Sequence, residues 1–91
     1  MTRMLCRNKV TDFQTWRERF DSQAKAHRNA GLTLEHLWRC LKDSNHVFFV
    51  FRVSDIQKGR AFFNARSSAK AGNASGVIDG EFWFVESAEG D

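Results

Sequence analysis

Val10-Thr11-Asp12-Phe13-Gln14 returns 43 positions later as Val53-Ser54-Asp55-Ile56-Gln57, each copy following an apolar run and preceding an amphipathic one. The match continues through Arg17 and Arg60, then Phe20 and Phe63. Each half next passes a glycine, Gly31 or Gly76, into another apolar run. Read outward from the repeat, the chain is β-α-β twice over.

Residues 3–10 read as the first strand, with Met4, Leu5, Cys6 and Val10 apolar. Thr11 with Gln14 fits a capping box, in which the hydroxyl accepts from the third helical N–H and the amide reaches back, so a helix is expected from Asp12. Phe13, Trp16, Phe20, Ala24 and His27 recur at three- and four-residue steps and give one helix an apolar stripe, with Arg17, Glu18, Arg19, Asp21 and Lys25 on the rest. Gly31 can take the left-handed conformation that ends a helix. From Leu32 to Leu41, strict alternation puts Leu32, Leu34, His36, Trp38 and Cys40 on one face and Thr33, Glu35, Leu37, Arg39 and Leu41 on the other. Neither face is polar. Asp43-Ser44-Asn45 supplies turn chemistry for a hairpin into a third strand, Val47 to Val53, that is apolar on both sides. Ser54 with Gln57 repeats the capping box, and Ile56, Phe62 and Phe63 are expected on the inner face of the second helix. The Ser67–Gly76 stretch reads as a short third helix, a loop or a lid, before a last strand from Val77 to Glu86.

Composition bounds the rest. Ninety-one residues make one domain, and folding at that size buries only about 60–65 % of the unfolded surface, so a second chain has stability to add. Hydrophobic residues at 42 %, nine of them Phe, exclude a disordered tail. The net charge of +3 is spread among Asp and Glu without a basic block, so no nucleic-acid partner is expected. Cys6 and Cys40 lack a CxxC partner and no signal segment is recognisable, which reads as a reduced, cytoplasmic protein. No apolar stretch approaches the roughly 18 residues of a membrane span.

A four-stranded sheet with helices on one face should alternate, because its other face meets water. The third and fourth strands do not. With Val10 and Val53 marking the helix side, Leu5, Phe48 and Val50 fall on the far side, and a second copy of the same sheet is the cover a 91-residue chain can find in itself.

The β-α-β-β-α-β order, the segment Val10-x-Asp12-Phe13-x-x-Trp16 and the sequence Ala30-Gly31-Leu32 together resemble the dimeric α+β barrel superfamily, with its antibiotic-biosynthesis monooxygenase-like proteins. The resemblance spans nearly the whole chain. It implies an α+β, ferredoxin-like subunit with helices on one face of an antiparallel sheet, and two sheets joined in a homodimeric barrel. It also implies cofactor-independent oxidation or isomerisation, haem degradation, or no catalysis at all. Asn8 resembles the strand-one asparagine of haem-degrading members, but the second helix lacks the Trp and following His that those enzymes use, and no Tyr is present for a phenol mechanism.

His36, an imidazole in mid-strand, is the candidate base or hydrogen-bond donor, with Asn8 as its polarising partner; the bland alternative for each is a satisfied structural role. Trp38, Phe49 and Phe63 are the candidate contacts for a small apolar or aromatic ligand held between sheet and helices. Arg7, Arg39 and Arg52 either fix an anion or pair with Glu35, Asp79 or Glu81. His27, His36 and His46 are placed too differently to converge on a metal, and neither a metal nor a cofactor is expected. Two functions stand side by side: an enzyme of monooxygenase-like or isomerase-like type, and a non-catalytic binding or assembly module.

Overall fold

The computed structural model describes residues 2–68 and 76–89. Among these residues seven elements follow the expected order with one addition: β1 (Thr2–Val10), α1 (Phe13–Ser22), α2 (Ala24–Asn29), β2 (Leu32–Arg39), β3 (His46–Val53), α3 (Ile56–Ser68) and β4 (Val77–Glu86). The strands form one antiparallel sheet in the order β2-β3-β1-β4, with β1 central beside β3. This is the ferredoxin-like α+β fold. Most of the Ser67–Gly76 stretch lies outside the described residues.

Both caps fall one residue later than the capping boxes suggest. Asp12, in extended conformation, accepts from the Thr15 N–H at 2.9 Å and from the Thr15 hydroxyl at 2.8 Å. Asp55 likewise accepts from the Lys58 N–H at 3.1 Å. A carboxylate facing the positive helix end displaces the neighbouring hydroxyl from that role. Thr11 and Ser54 take another part: their N–H groups donate to the carbonyls of Gly76 and Gly31, both at 2.9 Å. These glycines have φ of +80° and +78°, and a Cβ on either would fall 2.8 Å from the hydroxyl oxygen of Thr11 or Ser54. The sequence repeat is thus a structural one, in which each half is tied to the other at the same backbone joint.

The expected single helix after β1 is two. The Ser22 hydroxyl donates to the Arg19 carbonyl at 2.6 Å, a back-bond that competes with the helical ladder and bends it. The chain turns at Gln23 and resumes as α2. In α3 the inner positions belong to Gly59, Phe62 and Phe63, whereas Ile56, at the helix start, is exposed. Gly59 brings the helix close enough to the sheet that an added Cβ would lie 3.2 Å from Leu32 Cδ2.

Met4, Cys6 and Val10 of β1, Val47, Phe49, Phe51 and Val53 of β3, and Leu32 and Trp16 make the core on the helix side. Strict alternation fails in β2. Leu34 pairs with Phe51 but His36 pairs with Val50, so Glu35 is the extra residue of a bulge. Beyond it the faces exchange: Leu37 and Arg39 turn toward the helices, His36 and Trp38 away. A second bulge inserts Ile78 into β4, where Lys9 pairs with Asp79 and Val10 with Val77.

Candidate functional site

A cavity of about 220 Å³ lies between the sheet and the bent α1–α2 segment. Its floor is the helix-facing side of β1, β3 and β4, through Cys6, Asn8, Phe49, Gly80 and Phe82. Trp16, Phe20 and His27 form the helical wall, and Phe63 of α3 with Val77 closes it further. The aromatic rings support one another. Trp16 stacks on Phe20 at 4.7 Å between centroids, Phe20 meets Phe49 edge-on at 5.2 Å, and Phe63 lies 5.3 Å from Phe82.

Few polar groups interrupt this lining. The Asn8 side chain projects from β1 directly over Gly80 of the adjacent strand, its oxygen 2.6 Å from where a Cβ on Gly80 would be. Its amide makes no hydrogen bond to another described residue, so it is available to a bound molecule. His27 is 6 % exposed and packed among Phe20, Phe51 and Phe62. Gln23 and Arg19 border the cavity from the bend. Burial pushes the Cys6 thiol up to about 12, which makes it an apolar wall group rather than a nucleophile.

The open face of the sheet holds the remaining candidates. His36 stacks on Trp38 at 4.9 Å with their planes 11° apart, both exposed and separated from the cavity by the sheet itself. The bulge at Glu35 therefore divides the expected His36–Asn8 pair, leaving Asn8, Phe49 and Phe63 at the cavity and His36 and Trp38 outside it. Ion pairs account for the strand arginines. Arg7 binds Asp79 at 2.8 Å and Glu81 at 2.6 Å, and its Nη1 lies 3.3 Å from His46 Nε2. Hydrogen bonding to Asp79 and then Glu81 raises the Arg7 pKa, and Arg7 in turn holds Asp79 below the usual carboxylate range. Glu35 accepts from Arg3 at 2.7 Å and lies 3.3 Å from Arg52. Arg39 instead donates to the Ser44 carbonyl and lies 4.0 Å over the Phe13 ring.

Arg19, Gln23 and His27 are the cavity residues that sequence reasoning missed or assigned elsewhere. His27 and Gln23 extend the stripe of Trp16 and Phe20 at three- and four-residue steps, so polar members of an apolar stripe were the available signal. Arg19 carried no such signal. Among the described residues no cluster of His, Cys, Asp and Glu could hold a metal ion, and no helix is long and apolar enough to cross a membrane.

No family model and no curated protein matches the sequence. Solved structures do match its shape. A provisionally assigned antibiotic biosynthesis monooxygenase from Deinococcus radiodurans is 14 % identical, with a TM-score of 0.68 over 100 % of this chain and 96 % of that one. The chain has that protein's fold. A second provisionally assigned monooxygenase, from Nitrosomonas europaea, is 10 % identical with a TM-score of 0.64, covering 97 % of this chain and 99 % of its own. An uncharacterised NIPSNAP domain protein from Burkholderia xenovorans gives 15 % and 0.64, over 97 % and 95 %. The shared shape is the ferredoxin-like subunit of the antibiotic-biosynthesis monooxygenase-like structures, reached here with little sequence in common.

Proposed function

We propose that this chain is a homodimeric domain that binds a small, largely apolar or aromatic metabolite in the cavity between sheet and helices. The observation that carries the reading is the aromatic lining around the Asn8 side-chain amide on the sheet floor, which no other described residue engages. Apolar walls with a few placed polar groups are what small-molecule sites are made of, and a volume near 220 Å³ suits one ring or two fused rings. The dimer half of the reading rests on the open face. Leu5, Trp38, Trp83 and Val85 are each more than a third exposed there, a concentration of apolar surface that monomers rarely keep.

Native mass spectrometry of freshly purified protein is expected to give a species near twice 10.5 kDa. Calorimetric titration with the neutral fused-ring probe 1-naphthalenemethanol is expected to show binding that Phe63→Trp, which fills the cavity, abolishes. A probe that binds wild type and Phe63→Trp alike would remove the cavity from the reading.

A second reading takes the bound molecule on to cofactor-independent oxidation or isomerisation. It is favoured by the monooxygenase names of two structural neighbours, and in it Asn8 polarises an oxygen of the ligand. His36, across the sheet, has no path to that oxygen within one subunit. His36→Ala is accordingly expected to leave turnover intact while Asn8→Ala lowers it.

A further inference from the structure

The cavity has a charged mouth as well as an apolar interior, and the charge has one sign. Arg19 borders the cavity from α1 and forms no ion pair with another described residue. Its neighbour in sequence behaves differently: Arg17, turned to the other side of the helix by two residues, is held by Asp21 at 3.0 Å. Glu81 also borders the cavity, but its carboxylate is engaged by Arg7 on the far face of the sheet, 2.6 Å from Nη2 and 2.8 Å from Nε. No described acid therefore offsets Arg19 at the opening. A guanidinium with free donors at the rim of an aromatic slot is a fork for a carboxylate.

Building on the ligand-binding reading above, we infer that the ligand is an aromatic carboxylate, its ring between the Phe and Trp side chains and its carboxylate directed outward to Arg19. Asn8, on the sheet floor, takes a second polar substituent at the buried end. The neutral ring alone gains the apolar contacts, while the acid adds a charge-assisted hydrogen bond. That addition is worth roughly tenfold in affinity.

The test compares 1-naphthoate with 1-naphthalenemethanol by titration calorimetry on the full chain, wild type and Arg19→Gln. Arg19 is exposed, so the substitution leaves the core untouched. The acid is expected to bind wild type roughly ten times more tightly, to lose that advantage in Arg19→Gln, and to lose it also at high salt, while the alcohol is unaffected by either change. Equal affinities for acid and alcohol, or an acid preference that survives in Arg19→Gln, would overturn the inference and leave the cavity reading standing. Failure of both probes to bind would overturn the two together.

Discussion

The side-chain oxygen of Asn8 occupies the space that a Cβ on Gly80 would need, 2.6 Å away across the β1–β4 pair. Glycine at this position lets a polar amide lie flat over the neighbouring strand instead of being pushed out of the cavity. Gly80→Ala is expected to displace the amide and weaken ligand binding about tenfold, with net stability changed by no more than about 1 kcal/mol because alanine restricts the unfolded chain. Asn8→Ala should lose a similar amount, and the double variant no more than either alone. Additive losses measured by calorimetry would show that the two residues act separately.

The open face should behave as a self-complementary surface. Trp83, which pairs across from Leu5, is 45 % exposed in the single chain. Trp83→Glu is expected to raise the dimer dissociation constant by at least about a hundredfold, without loss of the fold, as read by light scattering and far-UV circular dichroism. A dimer unchanged by a charge at this position would place the contact elsewhere.

Acid sensitivity should come from the ion pairs on that face. Arg3 lowers the Glu35 pKa through a hydrogen bond, with Arg52 adding to it, and Arg7 lowers that of Asp79 in the same way. Depressed carboxylate values mean the folded state binds fewer protons, so the stabilisation is complete above the ordinary carboxylate range near pH 4 and is lost as the pH falls through the lowered values. Melting temperature is expected to be flat at neutral pH and to drop below about pH 4. Glu35→Gln should lower the plateau and make the acid drop shallower; an unchanged drop would assign it to other groups.

Much of the fold was legible because local patterns agreed with one another. The duplicated Val-x-Asp segment fixed the order of elements, Gly31 and Gly76 marked the two strand starts, and Asp43 to Asn45 marked the hairpin, where Asn45 N–H donates to Asp43 Oδ1 at 3.0 Å. The candidate site was legible only in part. Asn8, Phe49 and Phe63 could be placed from the alternation of β1 and β3 and from the stripe of α3. His36 could not, since a bulge is a tertiary accommodation between two strands with no residue signature at Glu35 to announce it. The bend at Gln23 was hidden for a related reason: a serine back-bond depends on which rotamer packing selects.

The two cysteines should separate chemically. Cys6 is 2 % exposed with its thiol pushed up to about 12, while Cys40 is only partly buried beside the hairpin. Iodoacetamide at pH 8 is expected to label Cys40 in the native protein and Cys6 only after denaturant is added, by intact-mass analysis. Rapid native labelling of Cys6 would mean that the cavity opens far wider than its walls suggest.

Both outer strands carry their irregularity on themselves: Glu35 in β2 and Ile78 in β4 each interrupt the even spacing of hydrogen-bonding groups along a border that no other described strand pairs. An incoming strand reads such a border as a broken template. Growth of the sheet sideways into a ribbon, the usual hazard for a small Phe-rich chain, is therefore frustrated at both margins, and the pairing of two copies proposed above is left to the open face.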